Sequence, residues 1–343
     1  MRTPHILVTA GLALASIGIA HADGYVAEAG HPSLAEWLLP EVPQPADNKL
    51  NPERIALGKT LFFDPRLSGD GNMSCATCHN PSLGWSDGLP TARGVKSMVL
   101  GRASPTIINT AYNAVQMWDG RKKSLEDQAM GPMEATVEMN MDIAKLFKWL
   151  NGNDEYRALF AKAYPGMDID ADAVSKAIAS FERTALSTNS PFDRWVKGEA
   201  KAMNAQQVNG FRVFVGKGNC AICHAAPNFT DDGFHNLGLA SHGKPEPDMG
   251  RYAVKPVASM KGAFKTPTLR DIDRSGPYFH DGSATTLMEV VEHYDRGGTT
   301  RTDLSPNMKP LDLTQQEKED LVAFMQALTS PYRPVTLPEL PRP

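Results

Sequence analysis

The residues most able to do chemistry in this chain are four cysteines, which occur as two pairs. Each pair forms a C-x-x-C-H motif, at residues 75–79 and at residues 220–224. In this pattern the two thiols can add to the vinyl groups of a haem, and the adjacent histidine can bind its iron. The sequence therefore predicts two covalently bound c-type haems. The thiols are Cys75, Cys78, Cys220 and Cys223, and the imidazoles are His79 and His224.

Zinc and disulfide chemistry are the alternatives for paired cysteines. A zinc site would use C-x-x-C pairs without requiring a histidine directly after each second cysteine. Disulfides are common in exported proteins, but they do not demand this spacing, and a redox disulfide motif would be expected once rather than twice. The pattern favours haem attachment over both.

The two motifs belong to a longer internal repeat. S-P-T at residues 104–106 is matched by T-P-T at residues 266–268, an offset of 162 residues. The D-G pairs at residues 119–120 and 281–282 share this offset, as do S-L at 124–125 and T-L at 286–287. The haem motifs are offset by 145 residues, so the second copy carries 17 more residues between its motif and T-P-T. This pattern predicts a gene duplication with one haem in each half.

The elements that position these motifs are predicted to be helices. Residues 52–63 and 204–215 form a helix before each motif, and Val174, Ile178 and Phe181 recur at helical spacing within a helix at 172–187. Thr314 and Glu317 form a capping box that opens the last helix. No alternating pattern is long enough for a large sheet, and the boundary between halves is expected near residues 188–191.

Composition and charge exclude several classes of protein. Of the 343 residues 41% are hydrophobic and 22% are charged, which suits a folded chain. Lys and Arg total 35 against 39 Asp and Glu, so no basic surface for nucleic acid is expected.

Residues 1–22 are predicted to be a cleaved signal peptide. Arg2 precedes an apolar run at residues 6–20, and Ala20-His21-Ala22 has the form of a cleavage site. The alternative is an uncleaved N-terminal helix. No later segment is long and apolar enough to span a bilayer, so we expect an exported protein, located in the periplasm.

The longer motifs resemble those of the bacterial dihaem cytochrome c peroxidase and MauG family. They are S-C-x-x-C-H-N-P at 74–81, D-G-L-P-T at 87–91, W-D-G-R at 118–121, S-L-E…Q…G-P…E-M at 124–139 and Y-F-H-D-G at 278–282. The resemblance extends over most of the chain, from the helix at 52–63 to the last helix.

This resemblance implies a mainly α fold of two cytochrome-c-like domains, related by internal duplication, with one covalent c-type haem in each and long loops. Residues 23–189 would hold the haem that meets hydrogen peroxide. Residues 190–343 would hold the haem that relays or stores oxidising equivalents.

The repeat also predicts what lies opposite each proximal histidine. Seven residues after Leu287 of the second copy is Tyr294, and seven residues after Leu125 of the first copy is Pro132. A phenolic oxygen can bind ferric iron, whereas proline has no side-chain donor. The second haem would then have two protein ligands, His224 and Tyr294, and the first would stay open. Alternatively, Tyr294 is an aromatic packing residue.

Comparison within the resembled family favours its MauG-like members. The cytochrome c peroxidases typically have methionine at the position similar to Tyr294, and a histidine in the loop after D-G-L-P-T that blocks the first haem. The corresponding loop here, residues 91–101, contains no histidine. The peroxidases also usually have asparagine at the position of Ala103, where it contributes to a calcium site between the haems. Calcium binding therefore stays an open expectation.

The resemblance assigns the remaining site residues. Glu138 matches the family's catalytic glutamate, Gln128 its distal glutamine, and Trp118 the tryptophan between the haems. A carboxylate in reach of peroxide can move a proton from one oxygen to the other. The alternatives are a surface role for Glu138 and a packing role for Trp118. His280 is expected to flank a haem structurally, and His235 and His242 are expected at the surface.

Three functions remain open. The first is a peroxide-dependent oxidoreductase that oxidises a protein substrate, as MauG does. The second is a cytochrome c peroxidase that takes electrons from a small cytochrome or copper protein. The third is a non-enzymatic dihaem electron carrier, which would require strong ligands on both irons, and Pro132 opposite the first haem argues against it. The sequence does not name the substrate or donor.

Overall fold

The computed structural model of the chain describes residues 24–342, and nearly all of their regular structure is helical. The predicted signal peptide at residues 1–22 lies outside the described residues. The mainly α fold expected from the sequence is confirmed. The elements are α1 (Pro52–Phe63), α2 (Cys75–Cys78), α3 (Leu125–Ala129), α4 (Gly131–Glu134), α5 (Ile143–Gly152), α6 (Asp154–Ala163), α7 (Ala171–Glu182), α8 (Pro191–Val196), α9 (Ala205–Val215), β1 (Phe234–His235), β2 (Phe264–Lys265), α10 (Leu287–Asp295) and α11 (Gln315–Gln326).

Capping residues explain where the long helices begin. At the start of α1, the side chain of Asn51 accepts a hydrogen bond from the amide of Arg54 at 2.8 Å, and Pro52 occupies the first turn. At the start of α11, Thr314 accepts from the amide of Glu317, whose carboxylate accepts from the amide of Thr314 at 2.8 Å. The capping box predicted here is confirmed.

Helix α7 is shorter than the predicted span of residues 172–187. It ends at Glu182, because the following residues hydrogen-bond to another part of the chain. Ala185 accepts from the amide of Asn109 at 2.9 Å, and Ser187 donates its amide to the Asn109 side chain at 2.9 Å. Apolar periodicity does not reveal such long-range bonds.

Two helix crossings organise the molecule, α1 against α7 and α9 against α11. Each crossing depends on a glycine. A Cβ atom on Gly58 of α1 would lie 1.8 Å from the carbonyl oxygen of Ala177, and a Cβ atom on Gly210 of α9 would lie 1.9 Å from that of Asp320. Neither distance is compatible with a side chain, so the helices approach this closely only because both residues are glycine.

Each crossing lies in its own hydrophobic core. The first core contains buried residues from Leu57 to Ala185, and the second contains Leu34 and Trp37 together with buried residues from Phe192 to Leu328. The expected boundary at residues 188–191 falls between Ala185 of the first core and Phe192 of the second, and it stays a prediction.

The N-terminal segment, residues 24–38, packs in the second core although it precedes the first in the chain. Trp37 is fully buried, with its ring 4.7 Å from that of Phe229 and 5.8 Å from that of Phe192. The sequence-based division placed this segment in the first domain, because no local signal in it identifies its packing partners.

The two copies of the repeat share backbone details. Positions 162 residues apart adopt the same left-handed backbone, and the same isolated β-bridge recurs at that offset. The left-handed pairs are Asn109 and Asp271, Met117 and Phe279, and Gly120 and Gly282, and the bridges are Gln116–Lys122 and Tyr278–Ala284.

The C-terminal tail, residues 331–342, has no regular structure and returns to the first half. There Arg342 donates to the Glu155 carboxylate of α6 at 2.7 Å. Within residues 24–342, no helix has the length and apolar character needed to span a membrane.

Candidate haem-binding active site

The first C-x-x-C-H motif begins with a single helical turn. Ser74 caps α2 in a capping box with Thr77, and His79 follows the turn. Nδ1 of His79 lies 3.2 Å from the carbonyl oxygen of Trp85. Because a carbonyl can only accept, Nδ1 carries the proton and Nε2 offers its lone pair to an iron.

The second motif repeats this arrangement. Cys220–Ile222 form a 3₁₀ turn, and Nδ1 of His224 lies 2.9 Å from the carbonyl oxygen of Phe229. Trp85 and Phe229 both have left-handed backbones, with φ of 60° and 55°. Burial lowers the pKa of both imidazoles, which favours the neutral form that binds iron.

The [ST]-P-T motifs hold the loops that carry these acceptor carbonyls. The Thr106 hydroxyl donates to the carbonyl oxygen of Gly84 at 2.6 Å, directly before Trp85. The Thr268 hydroxyl donates to that of Asn228 at 2.6 Å, directly before Phe229. The sequence revealed the repeated motif, and the structure shows that its threonine holds the loop whose carbonyl contacts the motif histidine.

The cysteines fit haem attachment better than the alternatives. All four are free of disulfide bonds. Among residues 24–342, the one cluster of three potential metal donors is Cys223, Asp231 and His235, which uses a single thiol and neither motif histidine. Burial raises the pKa of Cys75 and of Cys220 to about 12, so their thiols are neutral. The two motifs therefore do not combine into a zinc site.

A cavity of about 250 Å³ lies at the second motif. It is lined by Cys220, Cys223 and His224, and also by Tyr294 of α10. Tyr294 is half-buried. Desolvation of its phenol raises the pKa of that group, and the nearby Cys223 and Cys220 thiols raise it further. Both residues expected to hold the second haem iron, together with its attachment thiols, thus face one cavity.

The expected catalytic residues of the first site lie on or directly after two consecutive short helices, α3 and α4. Pro132 lies in α4, Gln128 lies half-buried on α3, and Glu138 lies in the turn after α4. Burial raises the pKa of Glu138, and the Arg121 guanidinium opposes this. Burial, Asp87 and Glu138 raise the pKa of Cys78 to about 11, although the Ser104 hydroxyl opposes this, so the Glu138 carboxylate is near the motif.

The residue expected between the haems is held at the junction of the two halves. The indole Nε1 of Trp118 donates to the carbonyl oxygen of Ala103 at 2.9 Å, and the Trp118 ring lies 6.4 Å from that of His280. The amide of Ala103 donates to the carbonyl oxygen of His280 at 2.7 Å. Ala103 offers no side-chain ligand for calcium, and calcium binding between the haems stays an open expectation.

Two histidines expected at the surface line the second cavity instead. His235 bonds to Asp231 at 2.8 Å, and this bond, with one to the Cys223 thiol, raises the pKa of His235 to about 10. The side chain of His242 is 8% exposed. Both belong to the longer loop of the second copy, which pairs β1 with β2 and folds back over the cavity. The sequence shows that this loop is longer in the second copy, but it does not show that the loop folds over the cavity.

Sequence reasoning missed Glu182. Glu182 is 5% exposed, and its Oε2 atom has no hydrogen-bond partner among the described residues. It lies close enough to Cys75 to raise the pKa of that thiol. A signal was present, because Glu182 follows Val174 by eight residues and so lies on the same buried helix face.

Three comparisons relate the chain to known proteins. Residues 52–201 match the family described as di-haem cytochrome c peroxidase. The chain is 47% identical to the methylamine utilization protein MauG of Methylorubrum extorquens, over 90% of this chain and 87% of that protein. It is 35% identical to the cytochrome c551 peroxidase of Nitrosomonas europaea, over 85% of this chain and 84% of that protein. Its structure resembles that of a MauG-like protein associated with microbial copper homeostasis, with a TM-score of 0.79 and 30% identity over 86% of this chain and 95% of that chain.

Proposed function

Because the chain belongs to the dihaem cytochrome c peroxidase and MauG family, we propose that it uses hydrogen peroxide at its first haem to oxidise a protein substrate. It is a peroxidase-type oxidoreductase, and the family carries two covalent c-type haems. In the proposal, the second haem is bound by His224 and Tyr294 and stores or relays oxidising equivalents.

The observation that carries the proposal is the position of the Tyr294 side chain, which lines the same cavity as His224 and the Cys220 and Cys223 thiols. An anionic oxygen ligand stabilises ferric iron, so it suits a centre that holds oxidising power. The similarity to two MauG proteins, at 47% and 43% identity, supports the same conclusion.

The first site is proposed to remain open to peroxide. When bound, the haem iron supplies the redox centre that activates peroxide. Pro132 would offer no side-chain donor to this iron, and Gln128 would orient the substrate by a hydrogen bond. Glu138 would accept a proton at its carboxylate from one peroxide oxygen and give it to the oxygen that leaves as water. Its raised pKa brings it closer to the range in which both steps are efficient.

The domain organisation, cellular location and partners are part of the proposal. The backbone features repeated at an offset of 162 residues support a duplication with one haem per half. Export to the periplasm rests on the sequence of residues 1–22. The partner would be a periplasmic protein that is oxidised, or an electron donor if the activity is that of a plain peroxidase.

Rapid mixing of the fully oxidised protein with hydrogen peroxide tests this function. We expect the haem spectrum to change without prior reduction. Glu138→Gln keeps the size of the side chain but removes its proton acceptor, so the rate should fall by about 10² or more while both haems stay attached.

Glu134→Gln provides the matched control, since Glu134 is an exposed acid four residues earlier. Its rate should stay within about threefold of that of the unmodified protein. If no spectral change occurs until one electron is added, a protein ligand blocks the first haem and the proposal fails. If Glu138→Gln reacts as fast as the control, Glu138 has no catalytic role.

A further inference from the structure

The longer loop of the second copy crosses to the first half at Trp118. We call residues 225–265, which lie between the second haem motif and T-P-T, the inserted segment. Its last residue, Lys265, donates its amide to the carbonyl oxygen of Trp118 at 2.8 Å. Arg251 donates from Nη1 to the carbonyl oxygen of Asp119 at 2.9 Å and to that of the next residue at 2.7 Å. The backbone of the Trp118 turn is therefore bonded to this segment at three successive carbonyls.

Ion pairs made by Arg102 add a side-chain connection to the same turn. Nε and Nη2 of Arg102 donate to the two carboxylate oxygens of Asp248 at 2.6 and 2.9 Å, and Nη1 donates to Asp119 at 2.7 Å. The Asp119 side chain is 7% exposed and that of Asp248 is 33% exposed. A bidentate arginine–carboxylate pair fixes direction as well as distance. Arg102 thus joins the inserted segment to the residue next to Trp118.

The rings around Trp118 are aligned by the same groups. The Arg102 guanidinium lies 5.4 Å from the centre of the Phe264 ring, which stacks on His280 at 3.5 Å and 14°. His280 in turn lies against Trp118, whose indole nitrogen bonds to Ala103. The orientation of Trp118 is thus constrained from both halves of the chain.

We propose that the inserted segment is a clamp that fixes Trp118 between the two haem sites, and that Arg102 and Asp248 are its positioning residues. The inference rests on the proposed function, in which Trp118 lies on the electron path between the haems. The step concerned is the transfer of one electron from one iron to the other, with no bond made or broken. Its rate depends on the placement of Trp118, because electronic coupling falls steeply with distance.

Electron redistribution between the haems tests the clamp directly. Carbon monoxide is bound to the one-electron-reduced protein and released by a light flash, and the movement of the electron between the haems is followed by absorption. In Asp248→Ala we expect this rate to fall about tenfold or more, the scale on which ångström displacements act. The midpoint potentials of both haems should stay unchanged.

The control is Glu246→Ala, an exposed acid two residues earlier in the same segment, which should keep the original rate. Asp248→Asn and Arg102→Lys keep part of the hydrogen bonding and should give intermediate rates of electron transfer. They replace Asp248→Ala in the test if that variant does not fold. A lowered melting temperature with an unchanged rate of electron transfer would show that the Arg102–Asp248 ion pair only stabilises the fold, and would overturn the inference.

Trp118→Phe, measured in parallel, separates this inference from the function on which it rests. If Trp118→Phe slows electron transfer and Asp248→Ala does not, the clamp proposal is wrong, whereas the electron path through Trp118 is supported. If Trp118→Phe leaves the rate unchanged, Trp118 is not on the path, and the clamp proposal falls with it. Slower transfer in both variants supports the clamp.

Discussion

The phenol of Tyr294 is the side chain whose chemistry best separates storage of oxidising power from simple electron uptake. It shares the second cavity with His224 and with a thioether, Met308, which is 8% exposed. Phenolate oxygen is hard and anionic and favours ferric iron, whereas a thioether is soft and neutral and favours ferrous iron. Under the proposed ligation by Tyr294, the second haem is therefore expected to be harder to reduce than one bound by a thioether.

Tyr294→Met should raise the midpoint potential of the second haem, because it replaces an anionic ligand by a neutral one. The measurement is a redox titration followed by absorption and electron paramagnetic resonance. Met308→Leu is the matched control, and it should leave that potential unchanged. If Met308→Leu moves the potential and Tyr294→Met does not, methionine is the ligand and the plain cytochrome c peroxidase reaction is favoured.

Glu182 should make the stability of the first half depend on pH. Burial raises its pKa from 4.5 to about 8, and the Arg183 guanidinium only partly opposes this, while Glu126 adds to the increase. Between these two values the folded protein holds a proton that the unfolded chain releases, so the free energy of unfolding decreases as the pH rises. This loss begins at the pKa of the unfolded chain and is complete above the folded value.

Glu182→Gln removes this penalty. At pH 8 the variant should be more stable than the unmodified protein, by on the order of a few kcal/mol, and below about pH 4.5 the two should differ little on this account. Denaturant unfolding at both pH values measures the difference. Glu41→Gln, at an exposed position, is the control. An equal gain at both pH values would show that Glu182 is not titrated in the folded state.

At the scale of elements, the two glycine crossings position the haem motifs. Gly58→Ala should destabilise the first half and Gly210→Ala the second, each by about 1–3 kcal/mol, because the added methyl group must push a neighbouring helix away. Unfolding followed at haem absorption bands measures this loss. Gly152→Ala at the end of α5 should be neutral or stabilising, since no atom lies within 4 Å of its Cβ position. An equal change in stability in all three variants would show that the close approach of the helices at Gly58 and Gly210 does not depend on glycine.

The elements that the sequence predicts are those defined by local signals. The capping box at Thr314, the helix preceding each haem motif and the histidine after each cysteine pair are encoded within a few residues. The carbonyls that orient the histidines belong to Trp85 and Phe229, which both have a left-handed backbone. This conformation cannot be predicted from the sequence, because tryptophan and phenylalanine rarely adopt it. The course of the inserted segment depends on ion pairs such as Arg102–Asp248, whose partners are 146 residues apart.

At the scale of the whole molecule, the two halves are not arranged as successive units along the chain. Residues 24–38 complete the second core, and the residues of the first core lie between this segment and the rest of the second half. The C-terminal tail returns to the first half through Arg342 and Glu155. A cut near residues 188–191 would therefore leave each half without a segment that packs on it.

Trp37→Ala should destabilise the second half by about 3–5 kcal/mol, because it empties a fully buried aromatic site. The first half should be affected much less. Limited proteolysis and unfolding followed at each haem can distinguish the two halves. Val26→Ala, in the same segment at a 46% exposed position, is the control and should change little. Equal destabilisation of both halves would show that they unfold as one unit.

The placement of residues 24–38 also determines an order of events when the chain is exported as proposed. This segment enters the periplasm early, whereas α11, against which its aromatic neighbours pack, arrives among the last elements. The residues of the first core, from Leu57 to Ala185, all arrive in between, so the first half can fold while Trp37 still lacks its partners. The arriving chain therefore carries an unburied aromatic segment until its last helix is present, and the burial of that segment joins the beginning of the chain to its end.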